Sequence, residues 1–171
     1  MIPLKLFQRD IDSLFDLVGQ GEDGMTYSLG WALKQSPQFL ERFASKISLS
    51  GKSGNHEVHL QKSRSGFGRT DMEVVSKSLG TAVVEAKRGF MVPTSEQLEK
   101  YILGLKGDPY PGAPLRRVVV LTANSEPVSY QTEAVPKKIL NVPIRHLSWN
   151  TVIEMAERSR DLAKGSEKRT L

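Results

Sequence analysis

The chain has 171 residues, no cysteine, and 24 Lys and Arg against 19 Asp and Glu, which gives a formal net charge of +5. That length suits one domain spanning 1–171 with a sizeable core; two domains would starve both cores. Without cysteine there are no disulfides, thiolate zinc sites or cysteine nucleophiles, and the modest cationic excess, with a pI of about 9.5, favours a polyanionic partner without demanding one.

No apolar stretch approaches the roughly 20 residues of a membrane span. Asp10, Asp12 and Asp16 interrupt what would be the apolar core of a signal peptide, so a cytoplasmic protein with no membrane partner is expected. Phe7, Ile11, Leu14, Phe15 and Val18 instead lie on one face of an amphipathic helix predicted over 4–18 and packed on the domain. A second helix is predicted over 24–34, preceded by Glu22 and Asp23. Acidic residues offset the exposed N–H groups at a helix start, and Asp23 is the better N-cap of the two. Ser36-Pro37 then reads as an N-cap with Pro at the first helical position, opening a helix through Phe39, Leu40 and Phe43.

Strands follow. The first is expected at 57–61. His56 and His59 would face opposite ways on an extended segment, so they and His146 are read as surface or packing residues. The loop 63–69 is Gly-rich and carries Arg64 and Arg69, which are placed to meet a phosphate backbone; a solvated turn is the ordinary alternative. Asp71-Met72-Glu73-Val74-Val75 and Thr81-Ala82-Val83-Val84 are then joined by the turn Lys77-Ser78-Leu79-Gly80, forming a hairpin. Residues two apart share a strand face, so Glu85 and Lys87 point one way while Val84 and Ala86 point the other. Antiparallel pairing sets Asp71 beside Glu85. Two carboxylates and a backbone carbonyl are donors that Mg²⁺ prefers, and an adjacent lysine can orient a water and stabilise charge on a phosphate. A solvated Glu/Lys pair at a strand end is the bland reading, opposed by the apolar setting of Val83, Val84 and Ala86.

After Pro93 a helix is predicted with Leu98, Tyr101, Ile102 and Leu105 on its apolar face. Gln97 and Tyr101 lie one turn apart. Thr94 and Gln97 also fit a capping box, in which the glutamine amide reaches back to the N-cap N–H. A Gly- and Pro-rich loop covers 104–114, buried strands are expected at 117–122 and 143–147, and a helix over 149–163 closes the domain before a polar tail. There is no internal repeat, Walker loop or dinucleotide fingerprint.

Arg69-Thr70-Asp71, followed fourteen residues later by Glu85-Ala86-Lys87, resembles the PD-(D/E)XK nuclease superfamily, with Thr70 where the name has proline. The Gln97 to Tyr101 spacing is similar to the Q-x-x-x-Y helix of its RecB-like members. The resemblance implies an α/β restriction-endonuclease-like fold, with an α-β-β-β-α-β core over about 22–147 and a mixed central sheet flanked by helices. It implies a Mg²⁺-dependent nuclease, Mn²⁺ substituting, that acts on nucleic acid, DNA ahead of RNA. Asp71, Glu85 and the Ala86 carbonyl would hold the metal and Lys87 would position or activate the attacking water. Glu22 would complete the metal shell, Gln97 would orient substrate with Tyr101 in support, and Arg64 and Arg69 would contact the backbone. The alternative is a catalytically inactive nucleic-acid-binding or assembly module of the same fold. A homodimer or a larger complex is left open.

Overall fold

The computed structural model describes residues 5–6, 9–10, 21–107, 115–125, 128 and 134–162. Its centre is a six-stranded mixed sheet with spatial order β3-β6-β7-β8-β10-β9, formed by β3 (His56–Leu60), β6 (Met72–Ser76), β7 (Gly80–Ala86), β8 (Leu115–Thr122), β9 (Lys138–Ile139) and β10 (Val142–Ser148). The first three of these strands pair antiparallel; β7/β8 and β8/β10 are parallel. A small ribbon of β4 (Ser63–Arg64) and β5 (Gly68–Arg69) precedes β6.

Helices cover both sheet faces, which is why the central strands read as continuous Val-rich runs rather than alternating ones. Val74, Ala82, Val84, Ala86, Val119, Leu121 and Leu147 bury against α1 (Glu22–Gln35), α2 (Pro37–Lys46) and α4 (Trp149–Leu162). Val83, Val118, Val120 and Ile144 bury against α3 (Ser95–Gly104) through Leu98, Tyr101 and Ile102. Ser36 caps α2 as the sequence indicates, its hydroxyl accepting from the Phe39 N–H at 3.2 Å with Pro37 at the first position. At the start of β7, Gly80 has φ +130°, and a Cβ there would lie 1.9 Å from the Leu115 carbonyl oxygen, so only glycine lets the two parallel strands begin side by side.

The N-terminal helix expected over 4–18 gives way at its start to an antiparallel pair, β1 (Lys5–Leu6) with β2 (Arg9–Asp10), registered Lys5↔Asp10 and Leu6↔Arg9. The helical reading rested on the apolar stripe Phe7, Ile11, Leu14, Phe15 and Val18, which lies outside the described residues; the four described residues of that span pair as strands. Residues 11–18 and the tail beyond 162 lie outside the described residues. No helix among the described residues is long and apolar enough to cross a membrane.

Candidate active site

The β6/β7 hairpin brings the carboxylates together. Met72 pairs with Val84, which sets Asp71, one residue earlier, against Glu85 and Ala86, and Asp71 Oδ2 accepts the Ala86 N–H at 2.9 Å. In an extended strand the N–H and C=O of one residue leave on the same edge, so the Ala86 carbonyl faces the Asp71 side as well. Partial burial and the neighbouring Glu85 charge push the Asp71 carboxyl up to about 6, against the opposing pull of the Ala86 N–H and Lys87.

Glu85, only 1% exposed, projects from β7 toward α3. Three donors hold it: Lys87 Nζ at 2.7 Å and Gln97 Nε2 at 2.6 Å on Oε1, and the Tyr101 hydroxyl at 2.7 Å on Oε2. Gln97 Nε2 also donates to the Tyr101 oxygen at 2.9 Å, closing a ring of hydrogen bonds around the carboxylate. Burial and the adjacent Glu85 keep the Tyr101 phenol protonated well above its ordinary range. The capping box is therefore half formed. Thr94 caps α3 through the Gln97 backbone N–H at 3.2 Å, but the Gln97 side chain turns to Glu85, where a buried acceptor outbids a solvated N–H.

Lys87 sits between two acids, 2.7 Å from Glu85 and 3.3 Å from Glu22. Burial favours its neutral form, yet the hydrogen bonds and charges of Glu85 and Glu22 outweigh that and raise its pKa, so it is an ammonium that donates. Its backbone is fixed from both sides: the Lys87 N–H bonds Leu121 O at 2.8 Å and the Trp149 indole N–H donates to Lys87 O at 3.1 Å. Glu22, expected to complete a metal shell, is committed elsewhere, accepting from Lys87 and, at 3.1 Å, from the Arg88 N–H. Asp23 is not the N-cap. Gly21 holds that position without a side-chain cap, and Asp23 accepts from Gln61 Nε2 at 3.1 Å and lies 3.8 Å from Arg69, whose side chain is more than half exposed.

Arg64 does not face solvent as a phosphate contact would. Its guanidinium forks onto the fully buried Glu73 at 2.8 and 2.7 Å and donates to Gly104 O at the end of α3, where a cation also suits the helix dipole. Lys62 joins at 3.2 Å. These cations outweigh burial and hold the Glu73 carboxyl below its ordinary value. Sequence reasoning passed over Glu73, although a charge inside an apolar strand needs a partner and Lys62 and Arg64 lie a few residues upstream. Gln61 and Trp149 carried no local signal of their contacts with Asp23 and Lys87.

Asp71, Glu85, Lys87, Gln97 and Tyr101 thus converge, with Glu22 linked through Lys87 and Arg69 at the rim. Among the described residues no group of three or more His, Asp or Glu side chains is gathered for a metal ion. Of the histidines, His146 is buried with Thr122 at 2.9 Å, and His56 lies within hydrogen-bonding distance of the Lys52 and Leu49 carbonyls. No protein-family model, curated protein or solved structure matches the chain.

Proposed function

We propose that the protein is a divalent-metal-dependent nuclease of the PD-(D/E)XK type that hydrolyses phosphodiester bonds in nucleic acid, DNA ahead of RNA. The single observation that carries this reading is the convergence of Asp71 and Glu85 beside an ammonium, Lys87, at the end of a mixed sheet. The element order supports it. From α1 to β8, two helices precede an antiparallel run of three sheet strands, β3, β6 and β7, with the β4/β5 ribbon inserted after β3, and a helix and a parallel strand follow. Leaving aside α2 and the ribbon, that order is similar to the restriction-endonuclease-like core.

The donor set fits Mg²⁺, with Mn²⁺ as a substitute. Asp71 lies against a second carboxylate and is pushed toward protonation, the strain a divalent cation relieves, and one or two carboxylates with waters are a common Mg²⁺ arrangement. Asp71, Glu85 and the Ala86 carbonyl would hold the ion, which when bound acidifies a water and neutralises charge on the scissile phosphate. Glu22 is left out of that set. Lys87, held as an ammonium, orients the attacking water and stabilises the charge growing on the phosphate oxygens; it does not remove a proton. Gln97 and Tyr101 fix the Glu85 carboxylate by spending their donors on it, so they act on substrate only through Glu85. Arg69 reaches solvent near Asp23 and suits a backbone phosphate.

A second reading is favoured by one observation: Glu85 already accepts three hydrogen bonds, as it would in an inactive nucleic-acid-binding module whose site has become structural. Incubation with linear and circular DNA, single-stranded DNA and RNA, in Mg²⁺, Mn²⁺ or EDTA, separates the two. The nuclease reading expects cleavage that EDTA abolishes. Folded protein that binds nucleic acid and cuts none of these in either metal would leave the binding module.

A further inference from the structure

Three residues beyond Lys87 the chain presents Phe90, 75% exposed, and Met91, 64% exposed, the two most exposed large apolar side chains among the described residues. Two neighbouring large apolar side chains left in water form a small contiguous apolar patch, the kind of surface that marks a binding site rather than scattered exposure. The segment that carries it is well braced. The Arg88 N–H donates to Glu22 Oε1 at 3.1 Å, the Ala123 N–H to Gly89 O at 2.7 Å, and Asn124 Nδ2 to Phe90 O at 3.1 Å. Gly89, at φ +67°, turns the chain outward between these anchors. The end of β8 and the start of α1 therefore hold the backbone while the ring stays free, so an incoming partner meets a pre-ordered aromatic surface. One exposed cation, Arg88, lies two residues before Phe90.

We propose that Phe90 is a stacking platform for an unpaired base of the strand entering the site, and that the preferred substrate is single-stranded nucleic acid. The inference rests on the nuclease reading for the site it serves. Cations alone suffice to hold a duplex backbone, because paired bases keep their faces in the stack. Aromatic rings interleaved with cations suit a single strand, whose bases offer a free π-face to each ring. An apolar protein partner would use the same patch but would not require a flat ring.

The test is fluorescence anisotropy of a short labelled DNA strand, alone or as a blunt duplex, in EDTA, for wild type, Phe90→Ala, Phe90→Leu and Phe90→Trp. Because Phe90 is exposed, each variant should fold. Phe90→Ala and Phe90→Leu should weaken single-strand binding about tenfold, within the range measured for removing one base-stacking ring. Phe90→Trp should retain wild-type affinity, and duplex binding should be unchanged in all. Full single-strand affinity in Phe90→Ala or in Phe90→Leu would overturn the proposal, as would equal losses on single strand and duplex or no binding of either by wild type. No cleavage enters this measurement, so a protein that stacks a base yet never cuts in Mg²⁺ would sink the nuclease reading and leave the platform standing.

Discussion

The Gln97 side-chain amide donates to Glu85 Oε1 at 2.6 Å while the Gln97 backbone N–H is the group that Thr94 caps. One residue thus starts α3 with its main chain and holds the site carboxylate with its side chain. Gln97→Glu separates the two roles, because Thr94 can still cap the helix but two carboxylates now face each other next to a buried strand. Stability should fall by about 1–3 kcal/mol near neutral pH, the cost of an unmet buried acceptor and like-charge repulsion. Part of it should return in acid as the pair takes up a proton. Urea denaturation at mildly acid and neutral pH checks this; wild-type stability at both would mean that the amide does not engage Glu85 in solution.

Lys87→Met removes the only side-chain cation that bridges Glu85 and Glu22 among the described residues. Cleavage should drop by about 100-fold or more, the loss typical of one donor aimed at developing charge. Lys87→Arg should not restore it, since a planar fork does not replace a compact ammonium. Single-turnover cleavage of DNA by the folded variants in Mg²⁺ is the measurement, and an unimpaired Lys87→Met enzyme rules out the proposed role.

Asp71 gives a pH signature. Its folded pKa is raised from 3.8 to about 6, so between these values the folded state keeps a proton that the unfolded state has released. Stability contributed by this group therefore falls as pH rises through that window and stays low above it. Asp71→Asn does not titrate. In metal-free buffer it should match wild type below the window and exceed it above, by roughly 1 kcal/mol once solvent screening of a partly exposed group is allowed for. Adding Mg²⁺ above the window should raise the melting temperature of wild type alone. Thermal melts across pH, with and without the ion, decide it; a variant less stable than wild type in metal-free buffer would indicate that Asp71 is a structural hydrogen-bond partner first.

The Arg64–Glu73 pair should behave as a buried ion pair. Arg64→Met leaves a carboxylate with no exposed surface to Lys62 and the Thr70 hydroxyl alone and should cost about 1–3 kcal/mol, whereas Arg64→Met combined with Glu73→Leu should cost far less. Chemical denaturation of both proteins tests this, and equal losses would mean that packing at Arg64, rather than charge, is what matters. Glu73 contributes its stability fully above its ordinary carboxylate value and loses it as pH falls through the depressed folded one, so the penalty of Arg64→Met should shrink in acid.

Much of this was legible because strand periodicity is strict. Alternation along 71–75 and 81–87 places Glu85 opposite Asp71 and on the face away from Ala86, and a turn at 77–80 leaves little choice of register. The caps of α2 and α3 were readable from Ser36-Pro37 and Thr94 for the same local reason. What could not be read were choices between partners of unequal sequence distance. Gln97 had a solvated N-cap N–H nearby and a buried acid twelve residues away; Arg64 had solvent on one side and Glu73 on the other. In each case desolvation decides, and desolvation depends on the third dimension. The short β1/β2 pair was missed differently: Lys5, Leu6, Arg9 and Asp10 carry no alternation or turn signal of their own, so the apolar stripe over 7–18 decided the reading.

The indole of Trp149 is hydrogen-bonded to the main chain of the lysine at the centre of the site, and the protein has one other tryptophan, Trp31, lying partly in solvent beneath the Lys34 ammonium. Replacing Trp31 by Phe leaves a single emitter wired to Lys87. Its fluorescence then becomes an unlabelled optical gauge of that segment: a cation or nucleotide that shifts the Lys87 backbone changes the emission directly, and loading of the site can be timed in a stopped-flow instrument before any bond is cut.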